Sequence, residues 1–270
     1  MSEFSEYLNW HDSCRQNNLN NFNYQTLKKQ LTNARKHGII SIVKKNKGAN
    51  KVPNQNIYCV FDTETIGLNE KLIYDLGMVI IAKKGDALYK ARWIIDEVFN
   101  MPNLSKKAYY GEKINTFYKN ATTTPFKQAR QEFRQIMEDY KVNTITAYNL
   151  QFDMSAIRQS SDFVGLNGKF LHYAVDYFDL WNASCNSFFQ QKYFQKLAVE
   201  KNWLTNKGNF RTSAEIAYRY ITGEHDFIES HTALEDAEIE SIILQEICRQ
   251  KKGYQKNQII HMPWRKVQVA

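Results

Sequence analysis

The sequence predicts an α/β protein: a mixed sheet whose first three strands run antiparallel before parallel strands, flanked by helices, behind a basic N-terminal extension. Three observations predict it. Residues Ile57–Thr63, Leu72–Ala82 and Leu88–Val98 are rich in β-branched and aromatic side chains, with turn residues between them at Gly67-Leu68-Asn69 and Lys84-Gly85-Asp86. Helical patterns then alternate with a further strand at Val142–Ala147. The 270 residues are 43% hydrophobic and 14% aromatic, enough to bury the core of one large domain or of one domain with an appendage.

Taken in order, the elements begin with a separable N-terminal segment. Leu27, Leu31 and Ala34 fall at helical spacing, with Gly38 as a stop. Ile39–Val43 is a short apolar run, and the polar linker after it holds Gly48 and Pro53. After the three strands a helix is expected over Ser105–Asn120. Another starts at Thr124-Pro125, where proline suits a first turn, with Phe126, Ala129, Phe133, Ile136 and Tyr140 as its apolar stripe. Asn149 is placed to cap the helix that follows Val142–Ala147. Further helices are expected at Asp176–Ser184, Phe188–Asn202, Thr212–Thr222 and His231–Lys252, with Asp176 and Asp179 read as helix-start residues. The organisation that results is an extension and linker over 1–56, a domain over 57–252 and a tail over 253–270.

Charge is unevenly placed. Of the net +8, residues 1–56 hold +6, from nine Lys/Arg against three acids, and no acid occurs between Asp12 and Asp62. Such a run is either the electrostatic footprint of a polyanion such as nucleic acid or a solvated lysine-rich tail, and charge alone leaves both open. Cys14, Cys59, Cys185 and Cys248 show no paired spacing, so reduced thiols and a cytoplasmic location are expected. The opening MSEFSEYLNWHD lacks an apolar core, so no secretory signal is expected, and no apolar run is long enough to predict a membrane span.

Three acidic segments carry the chemistry. Asp62 and Glu64, two apart on a strand, project from one face. Like charges that close repel unless a divalent cation lies between them or one stays protonated. Hard oxygen ligands favour Mg²⁺ or Mn²⁺. Asp236 shares the buried helical stripe of Ile239, Ile243 and Ile247, where a carboxylate requires a cation or hydrogen-bond donors. His231, five positions earlier, is about 140° out of line with it on a helix. Both reach one site if His231 sits at or before the helix start, with Ser230 as the cap. The imidazole then remains available as a general base. Asp153 lies in the first turn of its helix, where the dipole favours an anion.

The order D-x-E, A-Y-N-x-x-F-D and H-x-A-x-x-D, with Gly67-Leu68 and Tyr74-Asp75-Leu76-Gly77-Met78-Val79 around it, is similar to the motif set of the DEDDh (DnaQ-like) 3′–5′ exonucleases. The likeness covers roughly residues 57–250. It implies an RNase H-like fold in which Asp62, Glu64, Asp153 and Asp236 hold two Mg²⁺ or Mn²⁺ ions and His231 deprotonates the attacking water. Thr65, Leu68, Asn149 and Phe152 would contact the terminal nucleotide, a core role being the alternative for Phe152. Ile66 and Tyr148 depart from the family's usual threonine and histidine without removing a ligand. The implied activity is release of nucleoside 5′-monophosphates from single-stranded 3′ ends, DNA slightly preferred because of the basic extension. Residues 1–56 are a candidate docking segment for a replication or repair protein. An exoribonuclease, and a nucleic-acid-binding adaptor with a vestigial nuclease fold, are the alternatives. The long segment between Asp153 and Asp236, aromatic-rich around Trp181–Trp203, is expected to be an extra helical subdomain.

Overall fold

A computed structural model of the chain describes residues 56–83, 85–108, 110–171, 175–250 and 255–267; the expected N-terminal helix and the basic run lie outside them. The described residues on either side of Leu204–Asn209 form one compact unit, and Leu204–Asn209 closes a tight turn in which the Thr205 and Gly208 amides donate to the Asn209 and Thr205 carbonyls.

Among the described residues the sheet has six strands, in the order β4 (Thr123–Thr124), β3 (Ala87–Ile95), β2 (Ile73–Ala82), β1 (Ile57–Thr65), β5 (Thr144–Ala147), β6 (Asp176–Asp179). Strands β1, β2 and β3 form the antiparallel meander. Strands β5 and β6 add in parallel beside β1, and the two-residue β4 pairs in parallel with β3. This is the RNase H-like arrangement that the motif order implies. β1 and β2 are central and covered on both faces, which is why they read as near-continuous apolar runs.

The two faces are closed by different helices. Helix α4 (Phe126–Asp139) buries Phe126, Ala129, Phe133 and Met137, and Phe133 meets Phe61, Trp93 and Phe170 at ring-centroid distances of 5.1–6.0 Å. Of the expected stripe, Ile136 and Tyr140 pack half-buried against the core; Met137 joins the fully buried line, and Tyr140 follows the helix against Tyr89. Helix α9 (Ala233–Arg249) packs on β1 and β2, and helix α5 (Leu150–Phe163) follows β5.

Several elements differ from the sequence reading for local physical reasons. The third strand stops at Ile95 because Asp96 and Glu97 turn into helix α1 (Asp96–Phe99). There Asp96 accepts from Thr123, and Glu97 accepts the first amide of α4, at Phe126. The helix expected over Ser105–Asn120 is two: α2 (Leu104–Lys107) and α3 (Gly111–Phe117). Gly111 makes the fold-back possible, since a Cβ there would lie 1.8 Å from the Ser105 carbonyl oxygen. Asp176–Asp179 is strand β6, not the start of a helix, and Asn257 covers its outer edge by bonding the Tyr177 amide and carbonyl. Asp179 does cap α6 (Leu180–Asn186), accepting from the Asn182 amide at 2.8 Å. The stretch expected as one helix over Phe188–Asn202 divides into a 3₁₀ turn (Phe188–Gln190) and α7 (Lys192–Glu200). Its aromatics, Phe188, Phe189 and Phe194, cluster with Tyr220 of α8 (Ala214–Thr222). Within the last segment Pro263–Lys266 forms a 3₁₀ turn, and the Lys266 carbonyl accepts from Gln190. Among the described residues no helix is long and apolar enough to cross a membrane.

Candidate active site

The site is assembled by strand register. In the β1–β2 ladder Asp62 stands opposite Gly77 and Glu64 opposite Asp75, so these four residues share one sheet face. The first turn of α9 is laid onto that face. A Cβ on Gly77 would sit 2.2 Å from the Ala233 carbonyl, so only the missing side chain admits so close an approach. Asp75, fully buried, fixes the contact. It takes two bonds from Arg92, at 2.9 and 2.6 Å, one from the Tyr118 hydroxyl at 2.7 Å and one from the Ala233 amide at 3.1 Å.

This docking delivers His231 and Asp236. Thr232, not Ser230, is the residue before the helix, and its side chain makes no capping bond to the helix amides; Ser230 bonds the Glu235 carboxylate instead. His231 lies just outside the helix, as the angular argument requires, in the left-handed region at φ 55°. Its Nδ1 is 4.0 Å from both Glu229 Oε2 and Asp236 Oδ2. Its ring stacks on Tyr110 at 4.0 Å and 10°. Glu229 is held by α8, whose Glu215 accepts from the Glu229 amide and pairs with Arg219.

Glu64, His231 and Asp236 form the tight group: each offers a ligand atom, and all lie within 4.8 Å of one another. Asp62 and Asp153 are not in that group. Asp153, in the first turn of α5, is buried and accepts from Thr63 Oγ1 at 2.7 Å. Asp62 is half-buried, and its charge bears on Glu64, Asp153 and Asp236.

Burial and mutual repulsion dominate the electrostatics. Burial, then Asp75, pushes Asp62 up to about 7 against the lowering effect of the Thr63 amide. Burial first, then neighbouring carboxylates, raises Glu64, Asp153 and Asp236 well above the usual carboxylate range, while Lys113 lowers Glu64. Glu229 is pushed up to about 8, by burial and then by Glu215. These carboxylates cannot all ionise without added positive charge. Asp236 Oδ1 is buried with no hydrogen-bond partner, and the donors are carboxylate oxygens with one imidazole. Both features fit a hard divalent cation.

The expected substrate contacts are less uniform. Thr65 is buried, and its hydroxyl donates to the Gly67 carbonyl at 3.0 Å, inside the turn. Leu68 is half-buried on that turn, and Asn149 is half-buried at φ 69°. Asn149 does precede α5, but its side chain makes no capping bond; its left-handed backbone turns the chain instead. Phe152 is half-buried and carries Lys71 Nζ 4.8 Å over its ring, beside Asp153.

Several residues at the site escaped the sequence reading. Glu240, one turn after Asp236, is 3% exposed and leaves Oε2 unpartnered; its i+4 spacing was the available signal. Asp75 is readable once β1 and β2 are paired as a hairpin. Tyr110, Lys113 and Glu229 have no local signature, because other elements bring them in.

No protein-family model matches the chain, and no curated protein matches it. Solved structures do match. E. coli Exonuclease I in complex with a dA16 oligonucleotide is 14% identical with a TM-score of 0.46, covering 72% of this chain and 40% of that chain. Its complex with a 5cy-dA13 oligonucleotide is 12% identical with a TM-score of 0.45, covering 70% and 40%. The zinc-bound form of its complex with single-stranded DNA is 14% identical with a TM-score of 0.45, covering 72% and 40%. The chain thus spans 40% of the length of these structures.

Proposed function

We propose that the chain is a metal-dependent 3′–5′ exonuclease acting on single-stranded nucleic acid, DNA slightly preferred, and releasing nucleoside 5′-monophosphates. One observation carries the reading. Asp236 offers a ligand atom within 4.8 Å of those of Glu64 and His231, has a buried carboxylate oxygen with no hydrogen-bond partner, and is raised by the charges of Asp62 and Glu64. Asp62, Glu64, Asp153 and Asp236 would hold Mg²⁺ or Mn²⁺. Bound there, divalent ions would polarise the phosphoryl oxygen and lower the pKa of a water. His231, whose Nδ1 lies 4.0 Å from both Glu229 and Asp236, would take the proton from the attacking water. Phe152 offers apolar surface beside the terminal nucleotide, and Lys71, 4.8 Å from its ring centre, supplies a cation for a phosphate. The basic run within residues 1–56 supports nucleic-acid binding through its attraction to the phosphate backbone, and DNA is preferred because such an arm suits a DNA-processing protein.

The test uses 3′- and 5′-labelled single-stranded DNA and RNA with Mg²⁺ or EDTA, beside Asp62→Ala and His231→Ala. Mononucleotides released from the 3′ end, abolished by EDTA and by either substitution, are expected. Faster turnover of RNA would reverse the substrate preference. Endonucleolytic fragments, release from the 5′ end or activity in EDTA would overturn the reading.

A further inference from the structure

We infer that helix α3 braces the loop that carries His231, and that Tyr110 and Lys113 are positioning residues for this imidazole; the inference rests on the reading of His231 as the proton acceptor. The loop needs such support. His231 occupies the left-handed region, where a residue with a Cβ is strained, and the following Thr232 forms no side-chain cap on α9. Neighbouring elements therefore set where the ring lies.

Helix α3 supplies three contacts around this turn. Tyr110, just before its first residue, lies flat on the imidazole at 4.0 Å and so fixes the ring plane. Lys113, three positions on and therefore on the same side of the helix, donates from Nζ to the Ser230 carbonyl at 2.8 Å. The same ammonium lies 5.0 Å from the centre of the Tyr110 ring, linking the two grips. Tyr118, at the other end of α3, donates to Asp75 Oδ2, the oxygen that also receives the Ala233 amide. Ser230 and His231 are thus held by this short helix and the residue before it, and Ala233 by Asp75, which the residue after it also bonds. Gly111, packed against the Ser105 carbonyl, locks that helix onto α2. A residue set that holds the base but touches no reacting atom acts through geometry. Misplacement of about 1 Å in such a group costs about 100-fold in rate.

The test is made on the full chain with histidine side chains isotopically labelled, the His231 resonances being assigned from their loss in His231→Gln. The Tyr110 ring current should place the His231 ring protons upfield of the other histidines, and Tyr110→Leu should remove that displacement while Tyr110→Phe retains it. With a single-stranded 3′-labelled substrate, Tyr110→Leu and Lys113→Met should each lower kcat about 10- to 100-fold at unchanged KM. Tyr110→Phe should restore most of the loss. Unshifted His231 protons in the wild-type chain would overturn the inference, as would wild-type kcat in Lys113→Met. The ring shift decides the stack even if Tyr110→Leu does not fold. It also does so if the chain has no exonuclease activity, an outcome that removes the proposed function instead.

Discussion

Gly77→Ala isolates the contact that places the site. Gly77 pairs with Asp62 across the β1–β2 ladder, and its missing side chain is where the Ala233 backbone rests. An added Cβ would fall 2.2 Å from the Ala233 carbonyl carbon and oxygen and 2.4 Å from the Leu234 nitrogen. These are backbone atoms, so no rotamer change relieves the clash. Ordinary contact requires about 1.2 Å more separation, so the first turn of α9 must lift from the sheet by roughly that much. Overpacking of this kind costs about 1–3 kcal/mol. The same displacement carries Asp236 and the His231 loop away from Glu64, for an expected loss of about 100-fold in kcat. Urea denaturation followed by circular dichroism measures the first effect, and single-turnover nucleotide release the second. Gly67→Ala is the matched control, because its nearest neighbour would be the Glu70 carbonyl oxygen at 4.0 Å. A Gly77→Ala chain as stable and as active as Gly67→Ala would refute the docking of α9 on β2.

Other outcomes follow from the same geometry. Asp75→Asn and Arg92→Met should each cost about 2–4 kcal/mol in urea denaturation, since each leaves a buried or partly buried partner of a bidentate pair exposed to loss. The double variant Asp75→Asn with Arg92→Met should lose less than the sum of the two single losses, and strict additivity would contradict the pairing. In EDTA, thermal stability should fall as pH rises from about 4 to about 7. The folded pKa of Asp62, about 7, lies above its unfolded value of about 4, so the folded chain keeps a proton that the unfolded chain releases. Asp62→Asn should flatten that slope, and an unchanged slope would mean that other groups dominate. Tyr148→Phe removes a 2.6 Å bond to the Thr212 carbonyl and should cost about 1 kcal/mol by the same denaturation assay, with no change expected if that bond is exchanged for water.

Much of this arrangement was legible in the chain because the signals were local. The alternation around Asp62 and Glu64 and the turn at Gly67 predict a hairpin, and the hairpin puts both acids on one face. The stripe through Asp236 and Ile243 predicts a helix with a carboxylate at its buried head. Misreadings fell where tertiary contacts outweigh local pattern. Asp176–Asp179 is only four residues long with acids at both ends, and it is a strand because β5 and Asn257 supply its partners. The break between α2 and α3 depends on the close approach of Gly111 to Ser105. Asn149 and Ser230 stand near their helix starts, yet the chain turns through left-handed backbone at Asn149 and His231 without side-chain caps. Tyr110 and Lys113 reach the site from more than a hundred residues away, so no motif window contains them.

On the proposed function, the half-buried Asp62 and the buried Glu64, Asp153 and Asp236 together hold divalent cations. Calorimetric titration of the EDTA-treated chain with Mn²⁺ tests it most directly. Two bound ions per chain are expected, with at least one lost in Asp236→Asn and in Asp62→Asn while the fold by circular dichroism is kept. Absence of Mn²⁺ binding, or binding unchanged in both variants, would contradict it.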